Sequence, residues 1–223
     1  MNKYSWPDPA SQSAFPIARP GYSFIGAAAF TTFVFALLGL IIPALLGLAS
    51  TFFIIYFFRD PDRIVPNGGG LVVSPADGKV VAAGTVENST YYKGTCLKIS
   101  VFMSVFNVHV NRMPCKGKVK KIIYNPGKFI SANLDKASKE NEQNAVYLET
   151  EEGKEICTVQ IAGLIARRII CKVQESDEVN RGQRFGMICF GSRLDVYLPK
   201  DSKLNVAVGD IVKAGTTVLG ELT

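Results

Sequence analysis

Residues 185–199 read FGMICFGSRLDVYLP. In the second half, Asp195 to Pro199, apolar and polar residues alternate as they do in a half-buried β-strand. The pair Gly191-Ser192 interrupts the run. Glycine inside a strand weakens it and marks a bulge or a close backbone approach. A nucleophilic serine is the other reading of the same pair. It is not a Gly-x-Ser-x-Gly elbow, because Gly186 lies too far upstream and no glycine follows Ser192.

Outward from this stretch the same texture recurs. Short β-branched runs separated by glycine-containing turns occupy 71–86, 96–110, 118–124, 145–150, 156–173 and 210–222. The chain from 59 to 223 is therefore expected to be a mainly β domain. Two of its segments are alike, SPADGKVVAAGTV (74–86) and VAVGDIVKAGTTVLGEL (206–222). Both place glycines in tight turns between short strands, a pattern expected of a barrel-sandwich-hybrid-like fold. The polar stretch 128–144 has no strong apolar period and reads as a long loop.

Asp60-Pro61-Asp62 and Pro66 to Gly70 are turn material and mark a boundary. Before it, no charged residue occurs from Pro20 to Phe58. One straight helix over 22–58 would be roughly 55 Å long against an apolar layer of about 30 Å. Pro43 is expected to break it into helices of about 22–42 and 44–58, because proline inside a helix removes a hydrogen bond. Residues 1–58 are thus expected to form a membrane-associating helical hairpin, or two short tilted spans. Lys3 and Arg19 before the run, and Arg59 and Arg63 after it, favour the cytoplasmic face of the cell membrane.

Composition narrows the chemistry. The 223 residues carry a formal net charge of +6 and one histidine, His109. A metal site built on two or three imidazoles is excluded, and no metal is expected. The five cysteines are odd in number and form no Cys-x-x-Cys, so reduced, buried thiols are expected rather than a disulfide framework. The basic residues form no long runs. Beside a membrane segment, anionic lipid explains the charge more simply than nucleic acid does.

Three places hold residues suited to catalysis. Asp77, in Ser74-Pro75-Ala76-Asp77-Gly78, either shapes a hairpin or acts as a carboxylate. His109, in VFNVHVNRMP (105–114), is placed in a strand, with Val108 and Val110 facing the opposite way. It is either a packing residue or the one imidazole available for proton transfer. Ser192 is the third.

SPADGKV, VFNVHVNRMP, LDKASKENEQN, IAGLIARR and RFGMICFGSRLDVYLP, in this order, resemble the short bacterial or archaeal phosphatidylserine decarboxylases. The resemblance spans 59–223, and the apolar N-terminal region also fits. It implies a self-processing proenzyme that cuts its chain between Gly191 and Ser192, giving a large subunit 1–191 and a small subunit 192–223. The serine becomes a pyruvoyl cofactor that engages the serine amine of the lipid and takes up the electrons when CO₂ leaves. The product is phosphatidylethanolamine. The family's Asp–His–Ser set falls on Asp77, His109 and Ser192. A cation is needed for the lipid phosphate, and Arg167, Arg168, Arg193 and Arg112 are the candidates. Oligomeric state is left open by the sequence, a homodimer being the common arrangement for such domains.

One departure stands out. Larger bacterial relatives carry His-x-x-His in the block matching VFNVHVNRMP, and here the second position is Arg112. Either His109 serves both self-cleavage and decarboxylation, or another base cuts the chain. Two rival classes exist. Asp135-Lys136-Ala137 matches the surroundings of a lipoylated lysine, but Lys136 lies in a long polar loop instead of at a tight hairpin tip. A non-catalytic membrane-anchored domain that only binds lipid or a partner would leave the chain intact.

Overall fold

A computed structural model describes residues 17–128, 140–163, 168–189 and 191–223. These fall into two compact units, one ending at Asp62 and the other running from Arg63 to Thr223.

The first unit is a pair of 17-residue helices, α1 (Gly21–Leu37) and α2 (Ile41–Phe57). The break lies at Leu38-Gly39-Leu40 and not at Pro43, which corrects the expected boundaries. Gly39 adopts φ 68. The Leu40 N–H reaches back to Phe35 O at 3.0 Å, and the Gly39 N–H to Ala36 O at 3.1 Å. This is the Schellman stop, which needs a left-handed residue that glycine supplies without strain. Pro43 is the third residue of α2. Its missing N–H would have had no intrahelical partner there, so it interrupts nothing.

The two helices meet where side chains are small. A Cβ on Gly47 would lie 2.6 Å from Thr32 Oγ1. Thr31, Thr32, Ser50 and Thr51 each donate a hydroxyl proton to the carbonyl four residues back. Large apolar side chains face outward, among them Phe30, Leu37, Ile41, Ile42 and Leu46. Each helix is about 25 Å long at about 1.5 Å per residue. Among the described residues, no helix is long and apolar enough to cross a membrane. This removes the expectation of two tilted spans and leaves a short helical hairpin.

Among its described residues the second unit is mainly β. Their fourteen strands are β1 (Leu71–Val73), β2 (Gly78–Val86), β3 (Cys96–Met103), β4 (Val110–Arg112), β5 (Gly117–Asn125), β6 (Gln143–Glu149), β7 (Glu155–Ala162), β8 (Ile169–Cys171), β9 (Glu178–Val179), β10 (Arg184–Ile188), β11 (Ser192–Pro199), β12 (Lys203–Leu204), β13 (Ile211–Val212) and β14 (Val218–Glu221). The main sheet has the order β13-β2-β3-β11-β7-β6-β5-β9, with every neighbour antiparallel. Smaller sheets, β4-β10-β8 and β1-β14-β12, complete the body.

Three of the apolar runs each hold two strands. The runs 96–110, 156–173 and 185–199 each break where the chain steps from the main sheet to β4-β10-β8. Strand β11 is also not half-buried. It lies between β3 and β7, and only Pro199 at its end is partly exposed. Its alternation separates two buried faces. Leu194, Val196 and Leu198 join the larger core with Val80, Ile99, Val101 and Met103. Tyr197 packs on the other face with Cys157, Val159 and Ile161. The edge-side β5 is partly exposed, as its sequence indicates, with Val119 buried, Ile122 and Ile123 intermediate and its lysines exposed.

The two similar segments lie against each other. Ile211 pairs with Lys79 and Val212 with Gly78. Ser74 N donates to Thr217 O, and Gly215 N to Ser74 O, both at 2.8 Å. All five cysteines are free thiols, four of them buried. Most of the expected long loop, 129–139, lies outside the described residues, Lys136 included.

Candidate active site

The site follows from strand register. Met103, Ser192 and Ala162 lie side by side on β3, β11 and β7. Lys79, Phe102, Arg193 and Ile161 form the adjacent row, which includes β2. The start of β2, the end of β3, the start of β11 and the end of β7 therefore share one end of the main sheet. Asp77, the 104–109 connection, Gly163 and Gly191 all adjoin the sheet there.

Two of these connections run together. From β3 the chain crosses through 104–109 to β4, and from β10 it returns through 189–191 to β11. The crossings are joined at one end by Met103 opposite Ser192 and at the other by Val110 opposite Met187. His109 lies in the first crossing and Gly191 in the second.

His109 is therefore not inside a strand, as its sequence pattern indicates, but in the connector before β4. The strand stops because Asn107 closes a turn. Its Oδ1 accepts the Ser104 N–H and the Ser104 hydroxyl, each at 2.8 Å. The imidazole is fully buried, and Nδ1 lies 2.9 Å from Asn107 O. A carbonyl oxygen only accepts, so in the neutral ring Nδ1 carries the proton. Nε2 is then the basic nitrogen.

Gly191 has φ 65, and a Cβ there would meet nothing within 4 Å. Backbone conformation, not crowding, calls for glycine. Ser192 is fully buried at the first position of β11, and its hydroxyl has no hydrogen-bond partner among the described residues. Leaving a buried hydroxyl unsatisfied costs about 1–3 kcal/mol, so such a group calls for a reason.

Asp77 directs both carboxylate oxygens to partners. Oδ1 accepts the Ala214 N–H at 2.7 Å, and Oδ2 meets Arg63 Nη2 at 2.7 Å. The His109 Nδ1 is oriented by the Asn107 carbonyl.

The arginines separate clearly. Arg112 is buried and donates to Gly182 O at 3.0 Å. Arg193 is 2% exposed and lies, by alternation, on the face opposite Ser192. Its Nε stands 2.9 Å from Asp195 Oδ1, and Lys98 Nζ reaches Oδ2 of the same carboxylate at 3.0 Å. Arg168 is exposed, and its carbonyl accepts the Cys189 N–H at 3.3 Å, two residues from Gly191. Arg167 lies outside the described residues.

Sequence reasoning missed a buried amide chain beside the site. Asn144 Nδ2 donates to Gln160 Oε1 at 3.0 Å, and Gln160 Nε2 to Asn111 Oδ1 at 2.9 Å. Asn111 Nδ2 points at Met103 Sδ, 3.7 Å away. The spacing Asn107-Val108-His109-Val110-Asn111 was the available signal, since it sets polar residues at every second position. Arg63 was missed as well, having been read only as a flanking cation.

Comparison with known proteins bears on this geometry. The family model for phosphatidylserine decarboxylase matches residues 51–220. A phosphatidylserine decarboxylase proenzyme of Syntrophus aciditrophicus is 56% identical over 92% of this chain and 96% of its own. Those of Desulfotalea psychrophila and Nitrosomonas eutropha are 50% and 48% identical, each over 95% of this chain and 99% of their own.

Proposed function

The chain belongs to the phosphatidylserine decarboxylase family, and from that membership we propose that it is made as a proenzyme that cuts itself between Gly191 and Ser192. Its activity is the decarboxylation of phosphatidylserine. The observation that carries the processing step is the Ser192 hydroxyl, buried and without a hydrogen-bond partner among the described residues, next to a left-handed glycine.

Ser192 Oγ attacks the Gly191 carbonyl carbon. The Oγ–C bond forms, the C–N bond to Ser192 breaks, and the hydroxyl proton moves to the released nitrogen. Nε2 of His109, the basic nitrogen in the tautomer fixed by Asn107, takes the proton from Oγ and returns it to nitrogen. Removal of the Ser192 α-proton then expels the Gly191 carboxylate from Cβ. Water replaces the nitrogen of the resulting dehydroalanine, releasing ammonia and leaving a pyruvoyl group on Arg193. When formed, that group supplies the electron sink for loss of CO₂.

The surroundings of Ser192 fit this group. The hydroxyl that must be consumed is not held by any other side chain among the described residues, and β3 and β7 pair with residue 192 from both sides. His109 is the proton donor proposed for the substrate α-carbon. Arg168, exposed at the same end of the sheet, is the cation proposed for the lipid phosphate, since Arg112 and Arg193 are buried and already engaged.

The helical unit is proposed to enter one leaflet at the cytoplasmic face of the cell membrane. Two features support this: the hydroxyls of Thr31, Thr32, Ser50 and Thr51 are satisfied within the helices, and large apolar side chains face outward. At its base, Arg59 stacks on Tyr56 with 3.8 Å from guanidinium to ring centre, an arrangement suited to a headgroup layer. The pairing of 74–86 with 206–222 supports the barrel-sandwich-hybrid reading of the β unit.

The test is an intact mass measurement on purified protein. Two chains are expected, 1–191 and a 192–223 fragment with a blocked N-terminus, while Ser192→Ala stays whole. A wild-type chain that remains intact defeats the processing proposal.

A further inference from the structure

Arg63 is the first residue of the β unit, and its sequence position suggests no more than a cation flanking an apolar run. Its surroundings say otherwise. The side chain is 13% exposed, and Nη2 lies 2.7 Å from Oδ2 of Asp77, whose side chain is 12% exposed. The other oxygen of Asp77 takes the Ala214 N–H. One carboxylate thus joins three places in the chain: the entry to the β unit, the turn before β2, and a residue of the 192–223 segment.

Asp77 is mechanically coupled to the row beside Ser192. It immediately precedes Gly78, where a Cβ would lie 2.1 Å from the Phe102 carbonyl oxygen, so the two backbones touch. Phe102 pairs with Arg193, and the next residue, Met103, pairs with Ser192. A carboxylate held from two directions cannot rotate about its Cβ–Cγ bond. With Arg63 neutralised, the partly buried anion keeps one N–H donor and loses its counter-ion, and it must turn or move towards water. Any such shift acts on backbone packed directly against β3.

We infer that Arg63 is a positioning residue for the self-processing reaction, acting through Asp77 and the β2–β3 contact beside Ser192. The inference rests on the processing proposed above. The contact is a single one at 2.7 Å, so a lysine ammonium can take it over, whereas a neutral side chain cannot.

The experiment follows cleavage of the full-length chain by denaturing gel for wild type, R63Q, R63M, R63K, D77N and R63Q/D77N. Circular dichroism establishes how much of each variant is folded. R63M keeps the aliphatic stem and serves if R63Q does not fold. The folded neutral variants are expected to cut roughly 10- to 100-fold more slowly, the scale set by displacing a reacting group by about 1 Å. R63K is expected to recover most of the rate, and R63Q to add nothing to the loss caused by D77N. Three results overturn the inference: a folded neutral variant cutting at the wild-type rate, R63K no faster than R63Q, or losses that multiply in the double variant. A wild-type chain that never cuts instead defeats the processing proposal, and this inference with it.

Discussion

Ser192 lies directly across from Met103, the last residue of β3, while Asn111 of β4 points its side-chain amide at the same methionine. Met103 thus stands between the strand that begins with the serine and the strand that follows His109. Two sheets are stitched together at this residue, and the crossings that carry His109 and Gly191 run between them. The neighbours of Ser192 are set by strand pairing on both sides, which is rigid.

His109 is expected to be required for cutting. Its Nδ1 is engaged by Asn107 O, which leaves Nε2 as the nitrogen able to take a proton. Replacing it with alanine should slow self-cleavage by about 10²- to 10⁴-fold, the range for losing a general base. Asn107→Ala should give a smaller loss, because it opens the Ser104–Asn107 turn without removing the imidazole. Cleavage time courses of both variants check this. If His109→Ala cuts normally, another group is the base.

Gly191→Ala separates conformation from space. The position has φ 65 and room for a methyl group, so the cost is backbone strain alone, about 1–2 kcal/mol. The variant should fold, melt a few degrees lower than an uncut Ser192→Ala reference, and cut slowly. Melting and cleavage are measured on the same preparation. An unchanged melting temperature would show that the left-handed geometry stores no strain.

Much of this was legible in the sequence. The β-branched runs between glycine turns gave a β domain, and Gly191-Ser192, His109 and Asp77 stood out by residue type. What failed depends on contacts distant in sequence. Proline was expected to end the first helix, but position decides, and Pro43 falls in a first turn where its missing donor is harmless. Asp195 made β11 look half-exposed, yet the strand lies between two others and its carboxylate is answered by Arg193 and Lys98. Asp77 and Arg63 are far enough apart in sequence that no local pattern announces their ion pair. Asn111 and Gln160 meet only because β4 and β7 belong to different sheets folded against each other.

Gln160 is the middle of the buried amide chain. Gln160→Leu keeps the volume roughly constant but leaves Asn111 and Asn144 each short of a partner. The expected loss is about 1–3 kcal/mol for each stranded group, read as a lower midpoint in urea unfolding. If the amides mattered only as packing volume, the leucine variant would be as stable as wild type.

Stability should also fall at alkaline pH, for a reason located in the core. Burial raises the Cys115 thiol from its ordinary value near 9 to about 12. Burial likewise raises Cys157, and it raises Tyr147 and Tyr197, the last also opposed by the Asp195 charge. In the unfolded chain these groups ionise near their ordinary values, whereas in the folded chain they keep their protons. The unfolded state therefore binds fewer protons above about pH 9, and stability decreases as pH rises from there towards the folded-state values. Each group ionised only in the unfolded chain contributes about 1.4 kcal/mol per pH unit. Below pH 8 both states hold these protons and the contribution is constant. Melting temperatures of the uncut Ser192→Ala chain at pH 7.5, 9 and 10.5, which bracket the thiol value of about 9, should fall slightly over the first interval and more steeply over the second. A melting temperature that stays level to the highest pH would mean that the thiols and phenols reach water in the folded protein, contrary to the burial that raises them.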